Sequence, residues 1–160
     1  MRMSRFGLSL APPAGWEARI YRREPATEHE VTHPVVHACT RALPAQRGDF
    51  GSGVVDLLGP QDVFVSLVEF GTDVADQGLF EVQGRPTLRP SQFRLNGLQR
   101  SLPDVSAAQH FYSEGGRAFC LLVVLGAHSR RMALVPRAEA MVGTMQVTSA
   151  TALRRQGAMP

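Results

Sequence analysis

Lysine is absent from this chain of 160 residues: all seventeen basic residues are arginine, and isoleucine occurs once, at Ile20. With abundant alanine, glycine and proline, this bias matches the codon economy of a GC-rich bacterial genome, so it speaks of source before function. Cysteine is scarce too, with only Cys39 and Cys120. Two cysteines build no disulfide framework, and in a chain without an export signal both are expected to be reduced. The first ten residues carry basic charge but no apolar stretch of secretory length, and Pro12 and Pro13 follow at once. No uncharged apolar run approaches the ~20 residues of a membrane span. The expected location is therefore the cytoplasm. Charge excess is small as well: the formal net charge is +3, and the pairs Arg22 and Arg23, Arg130 and Arg131, Arg154 and Arg155 are scattered along the chain. Electrostatic binding of nucleic acid needs basic residues gathered on one surface, so nucleic acid is not an expected partner.

Catalytic and metal-binding motifs are missing in the same way. No Gly-x-Ser-x-Gly elbow, CxxC or HExxH pattern occurs. Gly51-Ser-Gly53 lacks the third glycine of a dinucleotide fingerprint and precedes an apolar run instead of following one. Asp49-Phe50-Gly51 shares three letters with a kinase signature and none of its other parts. The carboxylates Asp56, Asp62, Glu69, Asp73 and Asp76 mostly flank turns or exposed positions, and none is assigned a catalytic role. His29, His33 and His37 are spaced four apart, as a helical zinc site would require, but Pro34 interrupts a helix there. On a strand, His37 and Cys39 project to one face, with His33 in line. That arrangement supports an alternative reading, a small-molecule or metal-dependent enzyme organised near His37 and Cys39. The plainer reading is a histidine at a strand edge beside a small buried cysteine, and no metal or cofactor is expected.

What is present is apolar and sheet-like. The chain is 44% hydrophobic, long enough for a single domain that buries about two thirds of its unfolded surface. Phe119 to Leu125 is a run of seven apolar residues flanked by Gly116 and Gly126, which fits a strand covered on both faces. Two short strands separated by a Pro-Pro-Ala-Gly corner are expected between Leu8 and Arg22, with Trp16 anchored in the core. A loop follows from Arg23 to Pro34, then a strand over Val35 to Leu43. Val54 to Leu58 and Asp62 to Phe70, joined by Gly59-Pro60-Gln61, read as an antiparallel hairpin. Ala107 to Tyr112 and Arg117 to Leu125 read as a second one, in the middle of the sheet. Thr72 is a candidate cap for a short helix reaching Phe80. Leu134, Ala138, Met141, Val142 and Met145 recur at helical spacing, with Pro136 placed in the first turn. The domain is thus bounded at 1–147, with 148–160 as a disordered tail.

The stretch from Gly71 to Leu102 is turn-rich and still greasy. Phe80, Leu88, Phe93, Leu95 and Leu98 lie in it, bordered by Arg85, Arg89, Arg94 and Arg100. An apolar centre with an arginine rim suits a protein interface, so Phe93, Arg94, Leu95, Leu98, Arg85 and Arg89 are the candidate partner-binding residues. The expected function is a non-catalytic, accessory or chaperone-like binding module with a protein partner; a homo-oligomer is compatible with this reading.

Four pieces in order, Pro13-Ala-Gly-Trp16, Val63 to Phe70, the hairpin carrying Gly116 to Leu125, and a closing helix to Val147, resemble the PsbP-like superfamily, which includes the Ran-binding factor Mog and bacterial lipoproteins. The Gly-Trp, Asp-Val-Phe-Val and Gly-Arg-Ala-Phe-Cys pieces are similar to those of uncharacterised actinobacterial proteins. The resemblance covers most of residues 8–147 and implies an α/β (α+β) fold, an antiparallel sheet sandwiched by helices, generally without catalysis and used for binding or assembly. The chain departs from the lipoprotein members in having no lipidated cysteine. No family site residue is carried over.

Overall fold

A computed structural model describes residues 1–157. Its centre is a five-stranded, wholly antiparallel sheet in the order β3-β4-β5-β7-β6, formed by β3 (Glu17–Arg22), β4 (Pro34–Cys39), β5 (Val63–Gly71), β6 (Ser106–Glu114) and β7 (Arg117–Leu125). Every residue of β4 and β7 is buried, and in β5 only Phe70 is exposed. Such continuous apolar strands arise when both faces of a sheet are covered. The edge strands β3 and β6 carry the exposed positions, including Arg19 and Gln109. A second sheet of three short strands, β1 (Met3–Arg5), β2 (Leu8–Leu10) and β8 (Gln146–Val147), lies beside the first in the order β1-β2-β8. The fold is α+β.

The two faces are covered differently. On one, Ile20, Val36, Val65, Leu121 and Val123 pack with Leu8 and Leu10 of β2 and with helix α1 (Arg131–Val142), whose Leu134, Val135, Ala138, Met141 and Val142 are buried. On the other, Cys39, Phe64, Leu122 and Val124 are covered by Leu43, Val54, Val55, Leu58, Leu98 and Leu102, which belong to irregular segments. The expected helical cover thus exists on one face only, among the described residues.

Several sequence expectations are corrected. Val54 to Leu58 is not a strand: Gly51 and Gly53 adopt φ of +93° and +84°, and the amides of Val54 and Val55 both bond the Gly51 carbonyl. The chain curls into a 3-10 turn over Val55–Leu57, and β5 pairs with β4 and β7 instead. The strand expected to run to Leu43 stops at Cys39. The β6–β7 hairpin is present, closed by Gly115 and Gly116 at φ of +62° and +75°, the signature of a two-residue turn matched to strand twist. Its strand β6 is an edge, not the sheet's middle. Trp16 is only half-buried at the margin of the core. The helix expected from Thr72 is reduced to a 3-10 turn at Gly78–Phe80. Pro136 lies inside α1, beyond its first turn, where it forfeits one helix hydrogen bond.

Residues 148–157, expected to be a disordered tail, carry α2 (Ala150–Arg155), capped by the Ser149 side chain, which accepts from the Ala152 amide at 3.1 Å; residues 158–160 lie outside the described part. A buried arginine explains the order. Arg117 donates to both carboxylate oxygens of Glu69, at 2.5 and 3.1 Å, and to the carbonyls of Phe6, Gly7 and Thr148 at 3.0 to 3.1 Å. All five guanidinium N–H groups are thereby used. Thr148 in turn donates to the Gly7 carbonyl at 2.8 Å. Gly7, at φ +73°, has room for no side chain: a Cβ there would lie 2.6 Å from Leu153 and 2.9 Å from Arg117.

Removing one partner of a buried pair leaves the other charge uncompensated, at a typical cost of about 3–5 kcal/mol. Arg117→Leu is expected to lose stability of that order in urea unfolding. Hydrogen exchange is expected to show residues 3–10 and 150–155 losing protection first; unchanged protection there would contradict the clamp.

Candidate functional site

The second face of the sheet holds a cleft of about 650 Å³. Its floor is Gln109 of β6 and Leu122 of β7, which face each other across the hairpin register. One wall is the segment Gly48 to Asp56, the other Gly97 to Leu102. The second wall reaches this face because the long excursion wraps around the sheet edge. Leu88 and Phe93 pack on the helix-covered face; Arg94 then exchanges backbone hydrogen bonds with Ala107 of β6, at 3.0 and 3.1 Å; Leu98 and Leu102 arrive on the opposite face. Arg100 and Asp56 form an ion pair across the rim, both side chains more than half exposed. Such a pair contributes little stability and leaves the opening charged but movable.

The first wall is fixed by a polar cluster beneath it. His37 on β4 and Ser66 on β5 are direct neighbours in register, both fully buried, and both contact one atom, the Asp49 carbonyl oxygen, at 2.9 and 2.5 Å. The Asp49 carboxylate accepts from the Tyr21 hydroxyl at 2.6 Å. Arg47 closes the cluster, donating from Nε to His37 Nδ1 at 2.8 Å and from Nη1 to the Pro44 carbonyl at 2.8 Å, with its guanidinium 5.4 Å from the Tyr21 ring centre.

These contacts decide what His37 is. Arg47 Nε can only donate, so His37 Nδ1 accepts and the ring proton sits on Nε2, where it donates to Asp49. Both nitrogens are occupied, which leaves no lone pair for a metal and no free base. Burial pushes the His37 pKa down to about 4, with the neighbouring Arg47 charge adding to the effect against the hydrogen bond to Asp49. Cys39 is fully buried, with its thiol pKa raised by burial; it packs with Val54 and Phe64. His33 lies apart, its ring against Gly71, where a Cβ would come within 2.6 Å. Among the described residues no three histidine, cysteine or acidic side chains gather where they could hold a metal ion. Cys120 is also free and buried, its pKa pushed up to about 11 by burial. It cannot bridge to Cys39, because β5 lies between their strands and two strand spacings, about 10 Å, exceed disulfide reach.

The six residues named as a partner surface are dispersed. Phe93 is buried at 4% exposure and supports the core, which corrects its assignment: the Arg94–Ala107 bridge turns it inward. Arg85 is half-buried and donates to the Met145 carbonyl at 2.6 Å. Arg89, Arg94 and Leu95 are exposed, and only Leu98 lines the cleft. Asp49, Gly51, Gly53, Arg100, Gln109 and Leu122 were not singled out by the sequence as site residues; the glycine density of residues 48–53 was the one available signal for the wall.

No protein-family model, curated protein or solved structure matches the chain. Among the described residues no helix is long and apolar enough to cross a membrane.

The neutral, buried state of His37 makes stability depend on pH. Its folded pKa lies below the ordinary value of 6.5, so the unfolded chain binds the extra proton. Stability is complete above about pH 6.5 and falls as pH drops toward about 4, by roughly 3 kcal/mol. In His37→Gln that loss is expected to shrink, even though the variant is less stable at neutral pH. Equal pH slopes for the two proteins in urea titrations would contradict the assignment.

Proposed function

We propose that this chain is a non-catalytic binding module whose cleft receives apolar groups of a protein partner. One observation carries the reading. The cleft has a leucine and glutamine floor between two loop walls, while the reactive side chains beside it, His37, Asp49 and Ser66, are spent on holding a wall in place. Preorganised walls lower the entropic cost of binding. A PsbP-like kinship belongs to the same proposal and is supported by the antiparallel sheet with α1 on one face and the Arg117 to Leu125 strand inside it. So does a cytoplasmic setting in a GC-rich bacterium, supported by two unpaired cysteines and the all-arginine composition.

A second reading has its own support. The cleft volume of about 650 Å³ falls within the range of about 300–1,000 Å³ usual for small-molecule sites, so a small ligand is the competing occupant. The two are separable. Peptides selected from a random display library are expected to shift the amide resonances of Gly51, Ser52, Gly97 and Gln99. Gln109→Trp, which fills the floor from an exposed position, is expected to weaken that binding about tenfold or more. Selected peptides that leave those resonances unmoved would overturn the protein-partner reading. Thermal stabilisation by a member of a metabolite collection, abolished by the same substitution, would favour the small ligand.

A further inference from the structure

A different surface, outside the cleft, has the composition of a second docking site. Residues 70–82 contain three carboxylates, Asp73, Asp76 and Glu81, and no basic residue, in a chain whose net charge is +3. All three are exposed. Interspersed with them are four of the ten exposed large apolar side chains in the described structure: Phe70 at 39%, Val74 at 40%, Val82 at 57% and Leu79 at 62%. Apolar residues that stay in water at this density mark interaction sites more often than isolated exposed ones do.

The segment is held rigidly. Ser113 of β6 is fully buried; its hydroxyl accepts from the Asp76 amide at 2.8 Å and donates to the Phe80 carbonyl at 2.7 Å. Its amide donates to the Val82 carbonyl and its carbonyl accepts from the Gly84 amide, both at 2.8 Å. One serine thus ties three points of the segment, and Gly84 just beyond it, to the sheet edge. Underneath, the Phe80 ring is flanked by those of Phe70 and Phe111, with centroids 5.3 and 5.8 Å away. Asp76 adopts φ +65°, a left-handed conformation that costs a non-glycine residue energy and persists only where its surroundings enforce it. The anchoring is spent on presenting apolar side chains outward, the reverse of what stability alone would select.

We propose that residues 70–82 dock a basic, amphipathic segment of a partner protein, one that sets apolar side chains among Phe70, Val74, Leu79 and Val82 and its lysines or arginines against Asp73, Asp76 and Glu81. Charge complementarity selects this occupant. An isologous pairing of two copies through the same surface would set carboxylates against carboxylates, which disfavours self-association here.

The test uses three synthetic peptides of equal length, built from leucine with arginine, leucine with glutamate, and serine with arginine, titrated into labelled full-length protein and read by amide shifts and fluorescence anisotropy. The leucine–arginine peptide is expected to move resonances of residues 70–84 and 111–114, and its affinity to fall with added salt. The double variant Leu79→Ser with Val82→Ser changes only exposed side chains, and is expected to weaken binding about tenfold; Asp73→Asn with Glu81→Gln is expected to remove much of the salt dependence. Equal binding of the leucine–glutamate or serine–arginine peptide would overturn the proposal. So would shifts confined to residues 48–56 and 97–102, which would return the peptide to the cleft and leave the reading of the cleft itself intact.

Discussion

One carbonyl oxygen, that of Asp49, determines the shape of the cleft. It is the meeting point of His37 and Ser66, two fully buried polar side chains from adjacent strands. Buried polar groups left without partners cost about 1–3 kcal/mol each, so bonding His37 and Ser66 stabilises the loop carrying Asp49 in its closed position over them. The loop is therefore recruited by the unsatisfied polarity of the sheet as much as by the apolar contacts of Val54 and Val55. Arg47 then fixes the histidine tautomer, and Tyr21 fixes the Asp49 carboxylate. A wall built in this way is anchored at Asp49, whose carboxylate is already bonded to Tyr21.

A second buried polar device works on the opposite face. Arg117 converts what would be loose ends, the β1–β2 turn and the stretch after β8, into part of the domain by satisfying their carbonyls from within the sheet. The two devices share a logic: a polar side chain on an interior strand organises chain that has too little apolar surface to order itself. His37, Ser66, Glu69 and Arg117 are buried in these devices, and each is hydrogen-bonded within them. Those commitments are what support the proposal of recognition over bond-breaking.

Legibility in the sequence followed burial. β4, β5 and β7 could be read because strands covered on both faces need unbroken apolar residues, and α1 because Leu134, Ala138 and Met141 keep a helical period. Val54 and Val55 misled because their strand propensity is local, whereas Gly51 and Gly53 impose left-handed turns that consume the same amides. The tail misled because a six-residue helix shows only two buried positions, Ala150 and Leu153, too few for a period. The site was least visible of all. His37 and Cys39 drew attention as chemistry, and they do share a face as expected. The partners that neutralise His37, however, are Arg47 and Asp49, ten and twelve residues on, and no spacing rule connects a strand residue to a loop carbonyl. Phe93 reads as a surface residue in the sequence because nothing in its neighbourhood announces the bridge between Arg94 and Ala107.

The cleft wall depends most on His37 being a structural donor. The direct measurement is the pair of imidazole nitrogen resonances of His37, followed by proton–nitrogen correlation spectra between about pH 5 and 8, the range in which an ordinary histidine titrates. A neutral ring protonated at Nε2 and unchanged across that range is the expected result. A ring that titrates near its ordinary value, or carries its proton on Nδ1, would contradict it.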